Sequence, residues 1–178
     1  MRRYIILLIG LVWLVSCSKE KPKKPGLALN LPDQTLENAT MVFTVDGIKS
    51  TVIKAKSVAK WMDKDLTLAK SLNVDFFDEK GAHTSRLDAD SGWIQERRQK
   101  MEVLGNVSVL TDDSVKLESQ SLKWDPKSNR ITTDDFVKIT KGKDLMSGYG
   151  FEADQYLRNM KIKKMVKGEI TKEKEETK

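Results

Sequence analysis

From Thr40 to Val166 the apolar residues come in short runs that alternate with polar ones and stop at turn-forming residues. Met41, Phe43 and Val45 alternate ahead of Asp46-Gly47, and Val74 and Phe76 ahead of Asp78-Glu79-Lys80-Gly81. Met101, Val103, Gly105, Val107 and Val109 share one parity before Asp112-Asp113-Ser114; Val115 and Leu117 resume it until Trp124-Asp125-Pro126-Lys127. Ile131, Phe136, Val137 and Ile139 then precede Lys141-Gly142-Lys143-Asp144, with further runs at 145–146, 149–156 and 160–166. Side chains of a strand face alternate sides, so this period of two predicts half-buried strands, and the predicted fold class is all-β. A helical period of 3.6 is not sustained in any window of about 11 residues. Ser50 to Ala69, where Val58, Ala59, Trp61 and Met62 also fit a helical turn, is read as strand.

A degenerate echo recurs about every 30 residues. Ala55-Lys56-Ser57 leads to Trp61, Ala89-Asp90-Ser91 to Trp93, and Ser119-Gln120-Ser121 to Trp124. Stacked rungs of this kind share one apolar interior and leave two open ends. Open strand edges carry unpaired backbone donors and acceptors, which recruit a partner strand or aggregate. At the final run, Met160, Ile162 and Val166 form a candidate partner edge, and Lys161, Lys163 and Lys167 between them protect it when it is alone.

The N-terminus adds a compartment. Met1-Arg2-Arg3 is followed by an apolar run from Tyr4 to Val15 and then by Ser16-Cys17. A charged start and a short apolar stretch read as a secretory signal, since a spanning helix needs about 20 apolar residues. Leu14-Val15-Ser16-Cys17 looks like a lipobox, which makes Cys17 the lipidation site and first mature residue. The expected organisation is a lipoprotein signal peptide at 1–16, the lipidated Cys17 with a linker at 17–39, a β domain at 40–168 and a charged tail at 169–178. The linker reading rests on Pro22, Pro25 and Pro32 among lysines.

Charge and chemistry mostly exclude. The net charge is +6, yet between Pro25 and Leu157 there are 18 Lys and Arg against 21 Asp and Glu, a balance of −3. The cationic excess sits at the chain ends, so nucleic acid is not an expected partner. With one Cys and one His (His83) there is no internal disulfide and no thiolate metal cluster, and no metal or cofactor is expected. Asp112-Asp113 and Asp134-Asp135 read as turn formers rather than glycosidase carboxylates, and the protein is not expected to be an enzyme.

An ordered series resembles the LptC family of the lipopolysaccharide export machinery. It comprises Asp46-Gly47, Leu87-Asp88-Ala89, Leu104-Gly105-Asn106-Val107, Leu122-Lys123-Trp124-Asp125, Ile131-Thr132-Thr133-Asp134, Val137-Lys138-Ile139 and Gly148-Tyr149-Gly150-Phe151-Glu152-Ala153-Asp154. The resemblance implies a twisted antiparallel β-jellyroll with open edge strands at both ends and an interior groove for the acyl chains of lipopolysaccharide. It also implies a transporter built from LptB, LptF and LptG at the N-terminal edge and an LptA-like bridge protein at the C-terminal edge. The expected location is the periplasm, with anchoring to the inner membrane through acylated Cys17; outer-membrane anchoring is the other option. The family's best-known members keep an uncleaved transmembrane helix, whereas this chain carries a lipobox. Groove-lining candidates are the large residues read as inward: Phe43, Phe76, Trp93, Val107 and Val109, then Leu117, Trp124, Phe136, Ile139 and Phe151. A dry core has the same pattern, and a β-rich adaptor lipoprotein that binds only protein is the alternative function.

Overall fold

A computed structural model describes residues 30–169 apart from Asn129 and Gln155. Strands follow in the order β1 (Gln34–Val45), β2 (Ile48–Trp61), β3 (Leu66–Phe77), β4 (His83–Gln95), β5 (Lys100–Thr111), β6 (Val115–Asp125), β7 (Arg130–Lys141), β8 (Asp144–Asp154) and β9 (Met160–Glu169). Each pairs antiparallel with the next in sequence, giving one nine-stranded sheet whose edges are β1 and β9. No helix occurs among the described residues, which are all-β; of the stretch from Ser50 to Ala69, Ser50 to Trp61 lie in β2 and Leu66 to Ala69 in β3, while Met62 to Asp65 form the turn between them. β1 begins at Gln34, inside the stretch read as linker; as an edge strand it needs no strict apolar alternation, and its first five residues are exposed. The signal peptide, Cys17 and the charged tail after Glu169 lie outside the described residues.

Turn chemistry sets the hairpins. Asp46 and Gly47 take φ of 51° and 80°, the doubly left-handed geometry that matches the twist of a two-residue hairpin. Between β3 and β4 the Asp78 carboxylate accepts the N–H groups of Lys80 and Ala82 at 2.8 and 2.9 Å.

The alternation breaks at the middle of the strands. Buried positions in β4 run Leu87, Ala89, then Gly92; in β8 they run Gly148, then Gly150 and Phe151. Pairing is interrupted at this level between Asp88 and Ser91, Leu104 and Val107, Ser119 and Lys123, Thr133 and Phe136, and Ser147 and Tyr149. Left-handed backbone sits in the same band, at Asn38, Ser71, Gly105, Asn106 and Gly150. An irregularity of this type bends its strand, and a row of them bends the whole sheet. The band is well satisfied: Asn106 Nδ2 donates to Asp90 Oδ2 at 2.8 Å and Ser121 Oγ to Asp135 Oδ2 at 2.7 Å. Gly105 is required there, because a Cβ would stand 2.5 Å from Asp90 Oδ2 on top of its φ of 76°.

Bending back is what creates an interior. One flat sheet leaves both faces wet, yet Leu117, Val137 and Phe151 are each 0% exposed. The two halves of the sheet therefore close on one another, and their concave faces share a single core that runs from Ala55 to Leu157. Burying side chains of this size contributes roughly 1.5–3 kcal/mol each.

Candidate functional site

Residues directly opposite in antiparallel strands point to the same face, so the registers trace rows across the sheet. One row runs Met41, Ile53, Val74, Leu87, Val109, Leu117, Ile139 and Met146, one residue from each of β1 to β8. Every member is apolar, and its centre from Val74 to Ile139 is buried, while Met146 beside β9 is exposed. On the far side of the bend a second row runs Leu36, Val58, Ala69, Gly92, Val103 and Leu122. These rows face the same interior and form an apolar track perpendicular to the strands.

The sequence candidates divide over this frame. Val109, Leu117 and Ile139 lie in the first row, and Val107 in the adjacent one, opposite Ser119. Phe151 is buried, opposite Thr133 and Ile162. Trp124, partly buried, stands between Met101 and Ile131. Phe76 packs on the core, and Phe43 is on its row through Thr51 but half exposed at the β1 edge.

Two candidates point elsewhere. Trp93 is opposite Leu68 and Glu102, in a row that continues through Lys123, and so faces outward. Counting by twos from Ala89 brings Trp93 inward; the bend between Ala89 and Gly92 reverses that parity. Phe136 is 46% exposed and meets the ring of its cross-strand neighbour Tyr149 edge-on at 5.3 Å. Its smaller neighbour Val137 is the buried one, in step with Ile139, so size was the misleading cue at that position. Sequence reading also passed over Val74, Leu87 and Leu122, all of modest size and all buried.

A cleft of about 290 Å³ is lined by the polar residues His83, Thr84 and Ser85 of β4, Thr111 at the end of β5, Asp112 and Asp113 of the β5–β6 turn, and Tyr156 and Arg158 of the β8–β9 connection. His83 stands between two carboxylates, with Nδ1 2.8 Å from Asp112 Oδ1 and Nε2 3.4 Å from Asp75 Oδ1. Arg86 Nε donates to Asp75 Oδ1 at 2.7 Å; this bond holds the Asp75 carboxyl below its ordinary range against the opposing effect of burial. The hydroxyl of Thr111 does the same for Asp113. The described residues contain no group of three or more metal-ligating side chains.

The edges complete the site. Along β1, Leu36, Val42, Phe43 and Val45 are exposed and Glu37 is the single charge. On β9, Met160 and Ile162 pack on the core, whereas Val166 is exposed among the lysines.

An antiparallel sheet bent through its middle, apolar inside and with no further strand at either edge among the described residues, has the form expected of the family named by the sequence series. The sequence matches the profile of that family, described as lipopolysaccharide-assembly, LptC-related, over residues 4–171. The chain belongs to it. A solved structure with a similar fold is LptH of Pseudomonas aeruginosa, described as the LptA homologous periplasmic component of the conserved lipopolysaccharide transport device. The likeness has a TM-score of 0.55 at 9% identity and covers 68% of this chain and 95% of that one. Comparison with curated protein sequences gives no significant match. As a member of the LptC family the chain is a periplasmic component of lipopolysaccharide transport, and the family's members are transport proteins rather than enzymes.

Proposed function

We propose that this LptC-family chain carries the acyl chains of lipopolysaccharide along the inward track, receiving them at the β1 edge from a transporter built from LptB, LptF and LptG. It passes them on at the β9 edge, through Met160, Ile162 and Val166, to an LptA-like bridge protein. Acylated Cys17 tethers it to the inner membrane. The observation that carries this reading is the row from Met41 to Met146, which crosses eight strands without a polar residue in a sheet open at both ends. Relay needs a lining that binds hydrocarbon without trapping it, and aliphatic side chains supply that.

The test is photo-crosslinking in cells. Probes at Val109, Ile139 and Phe43 are expected to capture lipopolysaccharide, and probes at Phe136 and Trp93, on the outer face, are not. Capture at the outward pair alone, or at none of the five, would sink the track. A second reading, an adaptor with a dry core, draws on the completely buried Leu117, Val137 and Phe151. It requires that partner proteins crosslink at β1 and β9 while no inward probe meets lipid.

A further inference from the structure

Leu157 belongs to the connection between β8 and β9, yet it is 4% exposed and part of the core. Its φ of 53° is left-handed, a conformation that a leucine keeps only where its surroundings impose it. Asp154 imposes it. The Asp154 carboxylate accepts the N–H groups of Tyr156, Arg158 and Asn159 at 3.1, 3.0 and 3.1 Å and the Asn159 side-chain amide at 2.8 Å. Its carbonyl accepts the Leu157 N–H at 3.1 Å. The residues on either side of Leu157 form one wall of the polar cleft, and the opposite wall is His83 to Ser85 with Thr111 to Asp113. The guanidinium of Arg158 lies 4.9 Å from the Tyr156 ring centre, and its charge favours the ionised Asp113 carboxyl.

This segment therefore bridges parts of the sheet that no ladder joins, since β4 and β5 are separated from β8 by β6 and β7. In the interior it closes, Leu117, Val137 and Phe151 are completely buried, so a hydrocarbon chain reaches them only where side chains withdraw. Withdrawing a strand breaks a whole ladder of backbone bonds, whereas withdrawing Leu157 breaks only bonds centred on one aspartate. We propose that Tyr156, Leu157 and Arg158 form a latch across the mouth of the bent sheet, with Leu157 occupying apolar space that a hydrocarbon chain takes when the latch is released. The proposal rests on the conduit reading and deepens it, since it assigns the entry step to a side chain that competes with the cargo.

The test uses the full chain and cis-parinaric acid, a fatty acid that fluoresces when held away from water, with lipid A as competitor. Asp154→Asn removes a charged acceptor shared by four donors, and Leu157→Ala shortens the plug. Asp154→Asn is expected to speed probe uptake about tenfold, the effect of losing one charge-assisted hydrogen bond, and Leu157→Ala to speed it through the apolar space it vacates. Amide exchange should rise at 156–159 and stay unchanged in β4 to β7. Leu72→Ala, which truncates a buried leucine of β3 that belongs to neither row, serves as the control for general loosening and should leave the uptake rate unchanged. Wild-type uptake rates in both latch variants, with probe still bound and displaced by lipid A, would overturn the latch and leave the track standing. Equal acceleration by Leu72→Ala would also overturn it. Absence of probe binding in every form would remove the conduit reading, and the latch with it.

Discussion

β1 and β9 occupy equivalent places, the two edges of one sheet among the described residues, and are made of different residues. β1 offers Leu36, Val42, Phe43 and Val45 to solvent with Glu37 as its single charge, whereas β9 carries Lys161, Lys163, Lys164 and Lys167. Charge on an edge suppresses indiscriminate strand pairing, and its absence invites it. On the proposed reading, β1 stays covered by a lasting neighbour and β9 is free between encounters. The attachments to the core differ too. β8 next to β9 supplies Phe151, completely buried opposite Ile162, while β1 contributes only the partly buried Ala39 and Met41.

The strongest way to break the comparison is to truncate both attachments. Phe151→Ala should cost about 3–5 kcal/mol of stability in urea unfolding, and Met41→Ala, at a partly exposed edge, about 1 kcal/mol or less. Equal losses would mean that β1 is as firmly part of the core as the last hairpin. Next in size are the edge charges. Val42→Lys with Val45→Lys should weaken binding to the transporter by roughly 2 kcal/mol or more while leaving the bridge protein's affinity unchanged. Reversing Lys161, Lys163 and Lys167 to Glu should act on the bridge protein alone, and raising salt from 0.05 to 1 M should shrink that effect, as screening requires. An edge whose change affects the other partner would reverse the assigned polarity.

The smallest effect is in pH. Asp75, bound by Arg86 on the β1 side, and Asp154, at the β9 side, both have carboxyls below the ordinary range. For Asp154, burial opposes the shift and is outweighed by the N–H groups of Arg158, Asn159 and Tyr156 together with the Asn159 side chain. A carboxyl depressed in the folded state contributes stability that is present above its unfolded value, about 3.9, and lost as pH falls through the folded value. Acid unfolding monitored by amide exchange should therefore loosen both regions below about pH 4. Arg86→Gln should flatten the dependence near β3 and β4 and leave it unchanged at 156–159.

Much of the fold was legible because strand, turn and alternation are local properties. Asp46-Gly47 and the runs around Val74, Val107 and Ile139 mark hairpins in any context, and the recurring Ala55, Ala89 and Ser119 segments fall in β2, β4 and β6. Facing was less legible. Trp93 was assigned by a parity that the bend reverses, and Phe136 by bulk where Val137 holds the interior position. Leu157 had no local signal at all, since it sits in a connection and reaches the core only because the sheet closes over it.

The amino-acid sequence by itself determined the strands, their hairpin order and the family, because each depends on neighbours a few residues apart or on the succession of motifs along the chain. The tertiary structure decided which side of each strand faces inward, which residues make a continuous apolar row and what closes the mouth. Those properties arise when a band of irregular residues from separate strands aligns and bends the sheet, and no single strand contains that alignment.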